Sequence, residues 1–207
     1  LIGESTISLS VDDTQWAMRS DTEGTKGVAR FLGVKEWSLS EGGWLDGAPR
    51  PGTFEQEVKV AFKTIATSAD FDWEAGQVVS IHKDGETILQ TVPGLLDPVS
   101  VGLRVRAGLS GGEQEWRLPM VDEDEIEVQH FRVAETASLD TALGCLETHR
   151  VDKIRGPQSK RYTQTWYADD LGFVPVYIAH GKTDGDHLES RIVSLTLDGE
   201  PVDTGNI

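Results

Sequence analysis

Along most of the chain, apolar and polar residues alternate with a period of two, the mark of strands that turn one face inward. Ile7, Leu9 and Val11 alternate with Thr6, Ser8 and Ser10, and Trp16 and Met18 alternate with Gln15, Ala17 and Arg19. Val58, Val60 and Phe62 do the same against Lys59, Ala61 and Lys63. Further strand-like stretches cover residues 126–133, 146–154, 162–167, 173–178 and 191–197. Turn-forming pairs punctuate them: Asp12-Asp13, Gly42-Gly43, Asp84-Gly85, Gly156-Pro157 and Asp184-Gly185. Connections this short join antiparallel neighbours, because a parallel crossover needs roughly a dozen residues.

One segment departs from this period. Asp97 precedes Pro98, which predicts a helix start with Asp97 as N-cap and Pro at the first helical position. Leu96 and Val101 stand where a hydrophobic staple places them, and Val101, Val105 and Leu109 repeat at i, i+4 and i+8. Gly108, or the Gly111-Gly112 pair, ends the helix. The predicted fold is mainly β: one domain over residues 1–207, a large curved antiparallel sheet, open or half-barrel-like, around one short helix near residues 97–109.

Composition narrows the partners. Lys and Arg number 19 against 35 Asp and Glu, giving a formal charge of −16. Nucleic acid and anionic lipid surfaces need clustered cations and are not expected as main partners. No apolar run approaches the roughly 20 residues of a membrane helix. Cys145 is the only cysteine, so an intrachain disulfide is excluded, and its place in Leu143-Gly144-Cys145-Leu146 reads as a small buried strand residue. No basic segment followed by an apolar stretch opens the chain as a secretory leader would.

Four stretches carry a family resemblance: Phe71-Asp72-Trp73-Glu74-Ala75-Gly76, the helix start Leu96-Asp97-Pro98-Val99-Ser100, Leu143-Gly144-Cys145-Leu146-Glu147-Thr148, and residues 165–176, which include Trp166, Tyr167 and Pro175. In this order and spacing the chain resembles the bacterial envelope family catalogued as domain of unknown function 3108, from about Phe71 to Leu197 and more weakly before that. The resemblance implies an exported, periplasmic protein with an open half-barrel-like fold, loosely similar to the sheet-and-helix folds of lipoprotein carriers. It implies no activity and no catalytic residues. His149 stands where the family more often has an apolar residue.

Several constellations invite chemistry. Gly108-Leu109-Ser110-Gly111-Gly112 matches the spacing of an esterase nucleophile elbow, but that elbow needs a strand before the serine and a helix after it. Here the order is reversed, so a glycine-rich helix end is the better account and no catalytic residue is assigned. His180 and His187 flank a turn with Asp186, where an approximately opposed pair would share a metal; the competing reading is a solvated hairpin. The run 121–127 holds five acids but no glycine to fold them inward, which fits an exposed loop better than a calcium site. Arg150, Lys153, Arg155, Lys160 and Arg161 form a basic island.

No cofactor is expected. Trp44, among loop formers at residues 40–47, suits a ligand rim or lid, and Trp37, Trp166 and Tyr167 are further groove candidates. These readings lead to a periplasmic, non-enzymatic protein that binds an amphipathic or apolar ligand, lipid or lipoprotein-like, between sheet and helix. The alternatives are a protein that binds or processes envelope polysaccharide in an aromatic, carboxylate-lined groove, and a protein-interaction module using a sheet edge.

Overall fold

The computed structural model describes residues 2–202. Seven strands form one antiparallel meander in sequence order: β1 (Gly3–Val11), β2 (Gln15–Gly24), β3 (Lys35–Leu45), β4 (Ala48–Val60), β5 (Lys63–Asp72), β6 (Gln77–His82) and β7 (Gly85–Gln90). A short helix, α1 (Gly27–Phe31), interrupts the path from β2 to β3. The longer helix α2 (Ser100–Ser110) follows. A second antiparallel sheet has the order β13-β12-β11-β10-β9-β8, built from β8 (Glu115–Asp122), β9 (Glu125–Thr141), β10 (Gly144–Ile154), β11 (Arg161–Ala168), β12 (Val174–Lys182) and β13 (His187–Arg191). A two-stranded ribbon, β14 (Thr196–Leu197) and β15 (Glu200–Pro201), ends the described chain. The fold is therefore mainly β with one helix of note, and both large sheets are open, each with two edge strands.

By its internal contacts the chain forms two compact units, residues 2–104 with Leu118–Val128, and Val105–Arg117 with residues 129–202. In the first, Phe54, Ala69, Phe71, Val78, Leu95 and Val121 make the core, flanked by Trp73, Leu89, Val99 and Ile126. In the second, Leu143, Leu146, Ala168, Leu171 and Val176 are buried together, with Trp166 packed against them.

Helix α2 starts as its sequence dictates. Asp97 Oδ1 accepts the Val99 and Ser100 N–H groups at 2.7 and 2.9 Å, and Ser100 Oγ accepts the Asp97 N–H at 2.9 Å, a reciprocal cap. Val105 and Leu109 of the predicted stripe are buried, with Leu103 beside them and Val101 half-buried. At the other end Glu113 N–H bonds Gly108 O and Gly112 N–H bonds Leu109 O, while Gly112 takes φ 79°. This is a Schellman stop, which requires the left-handed conformation that glycine adopts without strain. Ser110 is an exposed residue in the last turn of a helix, not a nucleophile on a strand-to-helix bend.

Four local expectations change. Gly42-Gly43 is no turn: both lie inside β3, at a bulge where Gly42 meets Pro51, and a Cβ on Gly42 would stand 2.3 Å from Arg50 O. The strand expected through Phe62 turns at Ala61, whose φ is 55°, and leaves Phe62 at a hairpin tip. Only part of 191–197 is extended, as the ends of β13 and β14. Cys145 is exposed on β10, opposite Asp140.

Asp97 is fully buried, and Ser40 Oγ on β3 donates to its Oδ2 at 2.6 Å. Burial raises the carboxyl's pKa, and the hydrogen bonds from Ser40, Ser100 and Val99 oppose the rise without cancelling it. A raised native pKa means that the native state holds this proton more tightly than the unfolded chain. The resulting stability is complete below the ordinary carboxylate value and is lost as pH rises through the native one. Asp97→Asn keeps an oxygen acceptor for the cap and cannot ionise. The stability of the wild type relative to Asp97→Asn should therefore fall as pH rises, read by urea unfolding across a pH series. Asp97→Ala, which orphans three donors, should cost about 2 kcal/mol at low pH and less as pH rises, in parallel with the Asn comparison.

Candidate functional site

In the seven-stranded sheet, register and the period of two decide which side chains share the core face. Trp16, Phe71 and Val78 make that face apolar toward one end. The row Met18, Ser40, Phe54, Ala69 and Ser80, directly paired from β2 to β6, mixes apolar groups with hydroxyls. The next row, Ser20, Ser38, Gln56 and Thr67, is wholly polar. Ser38 and Ser40 are buried in spite of their hydroxyls. Within two rows the face thus passes from close-packed hydrocarbon to hydrogen-bonding groups.

A recess of about 100 Å³ opens at this transition. Phe54, Ala69, Pro98 and Val121 supply its apolar wall, and Gln56, Thr67, Ser80, Asp122 and Glu123 its polar part. The cap of α2 places Pro98 there, and the β8–β9 hairpin brings Val121 to Glu123 over the sheet. Two bonds fix that hairpin: Ser80 Oγ donates to Glu123 O at 2.5 Å, and Val121 N–H to Leu96 O at 2.9 Å.

Ligand atoms of His82, Asp84 and Glu123 lie within 4.8 Å of one another at the rim. His82 ends β6 two residues beyond Ser80, so alternation turns its imidazole to the recess side. One imidazole and two carboxylates form a donor set suited to a divalent ion such as zinc or manganese. Lys83, 3.7 Å from Asp84, already supplies one positive charge beside them. Sequence reading missed this trio because forty residues separate His82 from Glu123 and only the meeting of two hairpins unites them.

The second sheet carries a different feature. Glu135, Arg150, Trp166, Tyr177 and Arg191 are consecutive cross-strand partners from β9 to β13. The Trp166 and Tyr177 rings lie 4.6 Å apart at 41°, with Arg150 over the first at 5.8 Å and Arg191 over the second at 4.6 Å. Arg150 also bonds Glu135 and Asp152, and Arg191 bonds Glu189. An open recess of about 670 Å³ lies elsewhere in this unit, between Ser159–Arg161 and the β12–β13 loop, where Lys160 pairs with Asp184 at 2.5 Å.

Within each unit the groove candidates do not share a face. Trp44 is on strand β3, paired with Pro49 and tilted against Trp16 at 6.5 Å, not on a free loop. Trp37 lies on the opposite face of the same strand, with Arg19 over its ring at 5.2 Å. Trp166 is half-buried in the ladder, whereas the adjacent Tyr167 points to the other face and is buried, which raises its phenol pKa. His180 pairs with Leu188 and His187 with Gly181, so the two imidazoles leave opposite faces and cannot share an ion with Asp186. His149 stacks edge-on against Phe173 at 5.6 Å and lies 3.5 Å from Asp169, a half-buried polar position where an apolar residue was expected.

The model of the family described as "Protein of unknown function (DUF3108)" matches residues 1–189. The chain belongs to the DUF3108 family. No curated protein matches this DUF3108 chain. Among solved structures it is similar to the crystal structure of a beta-barrel-like protein of the domain of unknown function DUF1849 from Brucella abortus. The two share 10% identity and superimpose with a TM-score of 0.59 over 92% of this chain and 86% of the other. That likeness is one of fold.

The ladder makes a prediction of its own. Trp166→Ala removes a ring pair, a cation–π contact and packing against the buried cluster of the second unit. It should cost about 2–3 kcal/mol in denaturant unfolding. Trp37→Ala, which loses a half-buried ring and its contact with Arg19, should cost about 1 kcal/mol.

Proposed function

We propose that this DUF3108 protein is a non-catalytic binding protein of the bacterial envelope whose ligand is amphipathic. The observation that carries the reading is the graded core face of the seven-stranded sheet. A ligand laid along it would place a small apolar tip against Phe54, Ala69, Pro98 and Val121, and its polar part against Gln56, Thr67 and the rim carboxylates. Burial of apolar surface supplies the affinity, and the hydroxyl and amide row fixes orientation. The recess holds only a few heavy atoms at about 100 Å³, so the tip of a chain fits there and a whole acyl chain does not. Trp44 shares this face toward its apolar end. Family membership supports the envelope location.

A second reading, an envelope polysaccharide as ligand, is supported by the aromatic–arginine ladder, with Trp166 and Tyr177 offering ring area and Arg150, Asp152, Glu189 and Arg191 offering hydrogen bonds. The ladder satisfies most of these groups internally, so the first reading is preferred.

The test uses a lysophospholipid as probe, with intrinsic tryptophan fluorescence as readout. Thr67→Trp, at a half-buried rim position, fills the recess and should weaken binding about tenfold or more with little change in melting temperature. Equal affinity of wild type and variant would place the ligand elsewhere. Loss of probe binding in Trp166→Ala alone would favour the second reading.

A further inference from the structure

Net charge hides an unusual end of the first unit. Residues 24–35 and 58–69 contain five of the chain's 19 cations and none of its 35 acids. The two segments are joined in space, because Ala61 N–H bonds Leu32 O at 2.6 Å. On either side of that bond stand Phe31, 88% exposed in α1, and Phe62, fully exposed at the β4–β5 tip. Val28 and Val60 are exposed beside them, and Ile2, also exposed, is tied to the same corner by the Thr25 N–H bond to its carbonyl at 3.1 Å.

The cations surround this apolar corner. Lys26, Arg30, Lys59 and Lys63 form no ion pair among the described residues. Lys35 is paired with Glu23 at 3.0 Å, yet it stands directly opposite Lys59 in the β3–β4 register. Like charges facing each other across strands are unfavourable unless an anion comes between them. Two phenylalanine rings held in water among unpaired cations have the composition of an interfacial anchor, in which rings enter the acyl boundary while ammonium and guanidinium groups meet lipid headgroups.

We infer that this corner docks the protein on an anionic phospholipid surface. The partner is fixed by charge and by shape. An acidic protein would satisfy the cations but not two protruding rings, whereas a bilayer interface accepts both together. Acids flank the two segments, Glu23 in its pair with Lys35 and Glu36, Glu57 and Asp70 beside them, so the approach depends on the four cations that form no ion pair, while charges more than about 8 Å away are largely screened at physiological salt. The earlier expectation from net charge, that anionic lipid surfaces are not partners, averages over a distribution that is locally reversed.

The experiment is cosedimentation of the full chain with vesicles of phosphatidylcholine alone or of phosphatidylcholine with phosphatidylglycerol. The wild type should sediment with the mixed vesicles, less so at high salt, and poorly with phosphatidylcholine alone. Phe31→Ser/Phe62→Ser and Lys59→Glu/Lys63→Glu should each lower the affinity about tenfold or more. All four side chains are exposed, so both variants should keep the wild-type melting temperature; the lysine variant tests the proposal if the phenylalanine one does not. No sedimentation with mixed vesicles, equal binding to both vesicle types, or binding unchanged in the folded variants would overturn the proposal. Concentration-dependent self-association of the wild type without vesicle binding, abolished by Phe31→Ser/Phe62→Ser, would reassign the corner to a second copy of the chain.

Discussion

The buried carboxyl of Asp97 is the contact on which the first unit depends. It ends a segment that leaves β7, caps the only long helix among the described residues, and accepts the hydroxyl of Ser40 from the middle of β3. Local and long-range order thus meet in one side chain. Two opposing terms act on it: desolvation of a buried charge costs several kcal/mol, while each hydrogen bond to a charged acceptor returns about 1.5–3 kcal/mol. Burial wins, since the pKa is raised, yet the bonds make the position specific. An apolar residue there would leave three donors without a partner. Asp97 also fixes Pro98 at the wall of the recess, so the constraint that starts the helix shapes the candidate site.

Both sheets follow the same physical plan. On one face of each, a close-packed apolar region gives way along the strands to polar groups. In the first sheet the change runs from Phe71 and Val78 through Phe54 and Ala69 to Gln56 and Thr67. In the second it runs from Leu146 and Ala168 through Arg150, Trp166 and Tyr177 to Asp152 and Gln164. Part of the first gradient serves the fold, since Ser40 bonds Asp97 and Ser80 bonds Glu123, and Ser38, Gln56 and Thr67 continue it beyond those two bonds. The ladder of the second sheet is largely satisfied by its own ion pairs and stacked rings, whereas the first sheet opens a recess at its transition.

The parts of the fold that depend on local pattern were legible in the sequence. Asp97-Pro98 marked the helix start, Gly108 or Gly111-Gly112 its end, of which the structure uses the second, and period-two alternation the strands. Features that depend on register were not. Gly42-Gly43 has turn composition but sits at a bulge, where close approach of Arg50 O excludes a Cβ, so Trp44 became a strand residue. The Val58–Phe62 alternation continued past a tight turn that only Ala61's positive φ reveals. His180 and His187 look symmetric about Asp184-Gly185, yet a one-residue offset sends them to opposite faces. The trio of His82, Asp84 and Glu123 depends on two hairpins meeting, and no spacing along the chain encodes it. Alternation in β1 marked a strand but not a buried face, since Ile7 and Val11 are exposed at the sheet edge.

The central claim is that the graded face of the seven-stranded sheet holds an amphipathic molecule. Native mass spectrometry of the full chain, freshly purified from a bacterial envelope fraction without detergent, tests it most directly. The account predicts a stoichiometric adduct whose fragments show both a hydrocarbon and a polar part, and which Thr67→Trp diminishes. A wholly carbohydrate adduct, or the bare mass of the chain under gentle conditions, would contradict it.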